Sequence, residues 1–597
     1  PPGAPTWNLK KMHDIVKSNN ALDRWKQLSV EGREILSLPP KKIMERIVDS
    51  PQPAALVHSF SEEDFYFLVH DIGHNDSGEL LSLASNKQWE YMVDLQVWEK
   101  DRFDILSMTK WLDLLFKADP TRLIKWLISE KTEFLKFYLF KNIEVRIREH
   151  DQDPSDFGKD FFTIDNIYYI RLIEDPADQI SDISDTDSQP RDQRMKFMVK
   201  FLENIAAHDH VKYQHLLNEA FAIIPAEVEE ECFRLRNVRL AEKGFLPFNE
   251  AIGIYQPLSP KKFKSRSAKT PIKKEDKNLV LPVPFFPADM LKGDNLFTRA
   301  LTGIETDHIL QQIQAEFASL CNQIITADHK KIRDKKELRE IVEKACGYIH
   351  IGLECIADHK GDISSKLRED QSALIIKKHP LSKIFRVGYG LALKLKWRAE
   401  RWLDECWFAS HGLPLTFWGE EWTGVLGGIL IKKPLFFDNY QSGSLFREFA
   451  STSDIKETEA KLDKIIAFDN LFSSMALKMK PLSVYKLLSH KNLILTLWAR
   501  HCLKLPKEAN PISVDKFKRF HGLLFTDNNK TGKIDPGMKE SFLKWLAEKT
   551  NTSDFEISEV LGEVFENLFT EVETEYGQVL TEDLDPRYIS LFLIETK

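Results

Sequence analysis

Short apolar stretches, each cut off by a Pro or Asp-Pro turn, recur along the first part of the chain and limit its fold more than any other feature. Residues 50–69 (SPQPAALVHSFSEEDFYFLV) and 118–139 (ADPTRLIKWLISEKTEFLKFYL) show the pattern. Each has a Pro turn, an apolar pair (Leu56-Val57; Leu123-Ile124), a Ser-Glu that would open a second helix (Ser61-Glu62; Ser129-Glu130) and an aromatic beyond it (Phe65; Phe134). The two segments lie about 68 residues apart, close to three units of about 23, a period that marks stacked helical hairpins. A unit that short cannot bury its apolar face alone, so each must lean on its neighbour.

Composition agrees with a helical reading. Gly (25) and Pro (27) are sparse for 597 residues, whereas Phe (39) and Trp (13) are plentiful. Few breakers, with bulky apolar residues at helical spacing, predict a mostly α protein. The expected fold is a stacked short-helix superhelical repeat region plus a second helical domain, with one or two small β-hairpins. The boundaries read as a repeat region at 1–150; a hairpin, an acidic loop and helices at 151–258; a basic linker at 259–284; and the second helical domain at 285–597. The hairpin falls at 161–174 (FFTIDNIYYIRLIE), with Asp165-Asn166 as its turn. A Gly- and aromatic-rich insert at 413–440 predicts another short hairpin.

The net charge of −8 is modest for this length and gives no field that would draw in nucleic acid or an anionic membrane. No run approaches the ~18 apolar residues of a membrane span. The six cysteines form no CxxC pair, which argues against zinc ribbons and fits a reducing cytoplasm. The chain opens PPGAPTW without a methionine, so a removed targeting segment stays open as a reading.

Between about Leu36 and Phe140, the segments LVHSFSEEDFYFLV and LLSLAS resemble the cytosolic domain of magnesium transporters of the MgtE type. That resemblance implies short helices wound into a superhelix; with no transmembrane half here, it implies no transport. The wider chain, with DLQVWEKDRFD, FRLRNVRLAEKGF and HPLSKIFRVGYGLALKL, resembles an uncharacterised bacterial family, which implies no activity.

Four stretches invite a chemical reading. FLVHDIGHND (67–76) carries His70-Asp71, the pair that holds metal in HD-type phosphohydrolases. Ser61 is a good N-cap, Gly73 a good stop, and Phe65, Leu68, Val69 and Ile72 form one apolar stripe. His70 and Asp71 point away from that stripe, so the expectation is a solvated helix end. TDNNKTGKIDPGM (526–538) places Asp527, Asn529, Thr531 and Asp535 at positions 1, 3, 5 and 9 of a calcium loop, but Met538 stands where a bidentate Glu belongs. Seven Lys and Arg with no acid lie between Lys261 and Lys274, without the interleaved aromatics that stack on bases. The GYG at Gly388–Gly390 lacks the preceding strand and third glycine of a dinucleotide site.

Nothing in the sequence calls for a cofactor, fixes an oligomeric state or assembles a catalytic set. The expected function is that of a non-catalytic scaffold or regulatory protein that binds another protein through its helical-repeat surface. Two readings stand beside it: a metal-dependent phosphohydrolase using His70 and Asp71, and a regulator responsive to calcium or magnesium through the loop at Asp527.

Overall fold

The computed structural model describes residues 24, 27–28, 30–173, 190–220, 222–264, 284–291, 294–304, 306–332, 334–357, 365–475, 477, 488–506, 509–525 and 532–595. The chain is mostly helical, with small antiparallel sheets. It divides into two units: the first holds residues 1–254, 268–345 and 369–382, the second 255–267, 346–368 and 383–597. Among the described residues, no helix is long and apolar enough to cross a membrane.

After a helical stretch at 30–36, the first unit runs through α1 (Pro40–Val48), α2 (Pro53–Ser59), α3 (Glu62–Ile72), α4 (Gly78–Leu83) and α5 (Asn86–Gln96). A tight hairpin of β1 (Trp98–Glu99) and β2 (Arg102–Phe103) follows, then α6 (Ile105–Ala118), α7 (Pro120–Glu130) and α8 (Thr132–Asn142). Pro sits in the first turn of α1, α2 and α7, where a missing N–H costs nothing and the fixed φ favours the helix. Ser61, Ser85, Asp104 and Asp119 each accept a backbone N–H at the start of α3, α5, α6 and α7. Each such cap stabilises its helix by about 1 kcal/mol.

These helices pack on the next but one: α1 on α3, α2 on α4, α3 on α5 and α4 on α6. The staggering lets short helices form a continuous core, with Leu56, Phe65, Leu68, Leu80, Trp89 and Leu115 fully buried. Buried Gln88 locks neighbouring turns together. Its Nε2 donates to the Val57 carbonyl at 2.8 Å, and its Oε1 accepts from the Ser85 N–H at 2.8 Å. The second Ser-Glu does not open a helix. Ser129 lies inside α7, where its hydroxyl donates to the Lys125 carbonyl at 2.6 Å, and α8 starts only at Thr132. A serine two residues short of Lys131, which flanks the start of α8, is inside the preceding helix and cannot reach the N–H groups it would have to cap.

The hairpin at 161–174 is present, with a wider turn than two residues. β4 (Phe162–Thr163) pairs with β5 (Tyr168–Leu172), and β3 (Ile143–Ile147) pairs with the other edge of β5, giving the order β3-β5-β4. Asp165 makes the turn by accepting the N–H groups of Ile167 and Tyr168, and Asn166 adopts the left-handed conformation at φ 57°. Then come α9 (Pro190–His208), α10 (His210–Ala220) and α11 (Pro225–Ala241). α9 packs on α7, α10 on α8, and α11 on α5 and α8. α12 (Asp307–Ala327) also lies in this unit, and α13 (Lys335–Ala357) begins in it.

The second unit takes the C-terminal part of α13 and most of α14 (Leu381–Glu405). A Cβ on Gly388 would lie 2.0 Å from the Tyr348 carbonyl oxygen, and one on Gly352 2.2 Å from that of Ile384, so the two helices meet backbone to backbone. The centre of the insert at 413–440 is helix α15 (Gly419–Leu430), and only one strand of a hairpin falls within it: β6 (Phe436–Phe437) pairs with β7 (Phe446–Arg447) beyond its end. The glycines there serve contact, since a Cβ on Gly424 would lie 2.3 Å from the Phe437 ring and one on Gly428 2.7 Å from the Leu435 carbonyl oxygen. α16 (Thr452–Ser474), α17 (His490–Cys502), α18 (Val514–Leu524), α19 (Pro536–Thr550) and α20 (Asp554–Tyr576) complete the unit. Their core is aromatic: the Trp498 ring lies 5.2 Å from Phe520 and 5.1 Å from Phe542.

Candidate functional site

α3 runs as expected at its ends: Ser61 Oγ accepts the Asp64 N–H at 3.0 Å, and Gly73 stops the helix at φ 98°. Its far face, however, is covered. Glu63, Asp64, Tyr66 and Phe67 are buried together with Phe65, Leu68 and Val69, while Ile72 is only half-buried. Asp64 accepts the Phe286 N–H at 3.1 Å, and the Tyr66 hydroxyl donates to the Ile332 carbonyl at 2.7 Å. Residues distant in sequence therefore close over the side that periodicity assigned to solvent.

His70 and Asp71 sit within this covered end. His70 Nδ1 donates to the Tyr66 carbonyl at 2.8 Å, and its ring lies tilted against Tyr66 at 4.2 Å and edge-on to His74 at 4.7 Å. Burial, followed by the neighbouring His70, pulls the His74 imidazole down to about 4, so it stays neutral near pH 7. Asp71 forms an ion pair with Lys335 at 2.5 Å, and His58 is exposed on α2. Among the described residues, no three His, Cys, Asp or Glu side chains gather as a cation would require. At the other end of α3, Glu63 Oε2 is buried without a hydrogen-bond partner among the described residues, 3.6 Å from Lys243 Nζ. Burial pushes this carboxyl up to about 7 against the pull of Lys243.

Asp527, Asn529 and Thr531 lie outside the described residues. Asp535 caps α19, its Oδ1 accepting the Gly537 N–H at 2.8 Å, which is ordinary helix-start chemistry. Most of the basic linker, 265–283, also lies outside the described residues. The GYG glycines are interior to α14: Gly388 meets α13, and a Cβ on Gly390 would come within 3.1 Å of Pro257. They are packing glycines with no free helix N-terminus to receive a phosphate.

A groove of about 250 Å³ lies between α11, α5 and the α7–α8 turn of the first unit. Its walls are aromatic. Trp98 and Phe103 of the small hairpin stack at 3.9 Å, Phe134 approaches Phe103 at 5.5 Å, and Trp126 closes the far side. Its base is charged. Arg239 forms a two-pronged bond to buried Asp94, with both N–O distances 2.8 Å, and reaches Glu90 at 3.1 Å. Lys131 also pairs with Glu90. Arg236 donates to the Asp94 carbonyl at 2.6 Å and lies over the Trp98 ring, and Glu229 accepts the Phe103 N–H at 2.9 Å.

The inner face of α11 is therefore mixed: Glu229, Arg236 and Arg239 anchor it alongside Phe233 and buried Leu240, whereas Leu235 (41% exposed) and Val238 (53% exposed) face solvent one turn apart, with Leu235 on the groove's lip. Cys232 also lines the groove, but burial pushes its thiol up to about 11, which leaves it protonated and a poor nucleophile near pH 7. The groove thus sets apolar walls over a base whose charges already satisfy one another. Sequence reasoning missed these residues. The one available signal was Arg236 and Arg239, i and i+3 on a helix whose apolar residues keep no consistent face.

No curated protein and no solved structure matches this chain, and nothing links it to the MgtE-type transporters. A family model described as a family of unknown function, DUF6178, matches residues 22–595. The chain therefore belongs to DUF6178.

Proposed function

We propose that the protein is a non-catalytic binding protein, a scaffold or regulator, and that the groove of its first unit receives an apolar segment of a partner protein. The observation that carries this reading is the exposed aliphatic pair of α11, Leu235 and Val238, beside a groove walled by Trp98, Phe103, Trp126 and Phe134. The few residues that dominate binding energy in protein interfaces are enriched in Trp, Tyr and Arg and cluster in well-packed pockets, and Trp98, Trp126, Arg236 and Arg239 meet here.

A photo-crosslinking residue at position 235, expressed in the native host, tests the proposal. One discrete adduct is expected, lost when Val238→Asp is added and absent when the crosslinker stands at exposed Ile147 on β3. An identical pattern from positions 235 and 147 would refute it. The phosphohydrolase reading has weaker support, because His70 and Asp71 are each already engaged, by the Tyr66 carbonyl and by Lys335.

A further inference from the structure

The second unit contains a cavity of about 490 Å³ where the starts of α15 and α17 face α16 and α20. That volume lies within the ~300–1,000 Å³ typical of small-molecule sites. Its floor is His490, stacked on Trp422 at 4.8 Å with the rings 14° apart, and beside them Trp418 and Phe468. His490 is 4% exposed, and its Nδ1 donates to the Phe417 carbonyl at 3.2 Å. Nε2, which has no protein partner among the described residues, is left as an acceptor. Burial draws this imidazole down to about 4, so the acceptor persists at neutral pH.

Three ion pairs ring the cavity: Lys461–Glu421 at 2.9 Å, Lys464–Glu563 and Lys491–Glu571. The lining thus offers donors and acceptors in alternation, and its three lysines face four glutamates, since Glu420 lines it as well. A cavity with that balance does not select an anion, which excludes phosphorylated ligands as the natural fit. It does not suit a planar base either. The Trp422 face is already taken by His490, and Trp418 and Phe468 close in at 5.8 and 5.9 Å. What remains for a ligand is aromatic edges, which carry partial positive charge and attract oxygen. Two amides, Asn439 and Asn567, add groups that both donate and accept. Asn439 and its neighbour Tyr440 are held at φ 49° and 62°, a left-handed conformation that Asn tolerates and Tyr rarely adopts.

We propose that this cavity binds a small neutral polyhydroxylated molecule, a sugar or polyol, through His490, Asn567 and the alternating lysine–glutamate rim. Hydroxyl groups satisfy both halves of such a rim, donating to the glutamates and His490 Nε2 and accepting from the lysines. The rim does not point to hydrolysis. Its hydrogen bond to Lys464 holds the Glu563 carboxyl below the usual range, the opposite of what a general acid needs. The proposal rests on residues other than those of the first unit's groove and stands or falls separately.

The test is calorimetric titration of the full chain at neutral pH with D-glucose, maltose and myo-inositol, against adenosine and AMP. At least one neutral polyhydroxylated probe is expected to bind, about fivefold to tenfold more weakly in His490→Phe and in Asn567→Ala. His490→Phe keeps the stack and removes the acceptor; should it fail to fold, exposed Asn567 decides alone. The proposal is overturned if no such probe binds up to about 50 mM. It is equally overturned if adenosine or AMP binds more tightly, or if sugar binding is unchanged in every variant that folds.

Discussion

Two helices wall the two cavities, and they are built the opposite way round. α20 is conventionally amphipathic: Ile557, Leu561, Phe565 and Leu568 are buried, while Glu563, Asn567 and Glu571 meet the cavity. α11 turns Arg236 and Arg239 inward and leaves Leu235 and Val238 in solvent. The second unit's cavity therefore has an aromatic floor and a charged rim, and the first unit's groove a charged base and an apolar lip. Where the ion pairs lie decides what each can receive. Pairs at a rim stay wet and can exchange partners with a ligand. Pairs at a base are desolvated, bound to one another and structural.

That contrast can be broken experimentally, and the largest effect is expected at the base of the groove. Arg239→Leu leaves Asp94 buried without its two-pronged partner, and should destabilise the first unit by about 3 kcal/mol. Hydrogen exchange over α11 and α5 measures it, and a loss under about 1 kcal/mol would make the base no different from a rim. Next come two groups that burial keeps neutral, with opposite signs. Folded Glu63 holds its proton up to about 7 against an ordinary value of 4.5. Stability is thus lost as pH rises through that window, and Glu63→Gln should raise stability at pH 8 by about 2 kcal/mol relative to pH 5. Folded His490 refuses a proton down to about 4 against 6.5, so the stability linked to it is lost as pH falls from 6.5 towards 4. His490→Phe should flatten that slope by about 2 kcal/mol, as read from denaturant unfolding between pH 7 and 4. Smallest is the rim: Lys491→Ala should cost about 0.5 kcal/mol or less. A cost matching that of Arg239→Leu would show that the rim pairs are structural after all.

What could be read from the sequence was local. Ser61 as a cap, Gly73 as a stop and the Asp165-Asn166 turn are each decided within a few residues, and each is where patterning places it, while the prolines read as turns prove to be the first residues of helices. What could not be read depends on partners far along the chain. The outer face of α3 looked solvated because nothing near it announces that residues 286, 332 and 335 will cover it. Hydrophobic periodicity assumes that the inward side of a helix is apolar. α11 violates this because Asp94 supplies an inward partner for arginine. Gly424 and Gly428 read as breakers, yet they lie within α15 because Phe437 and Leu435 occupy the space a side chain would need. The His70-Asp71 pair was conspicuous because its chemistry is short-range; the groove was silent because its walls come from residues 90–103, 126–134 and 232–239.

The contact between Gly352 and Gly388 has a consequence for how this lineage can diverge. Each glycine leaves no room for one carbon atom, against a carbonyl oxygen 2.0 or 2.2 Å from where it would sit. Replacing either one separates two backbones, and the second glycine then faces a gap with no reason to stay small. Drift at this crossing cannot proceed by graded steps. Distant members of the family should keep both glycines or have lost both, and a member with only one should carry a shift in α13 or α14 that reopens the space.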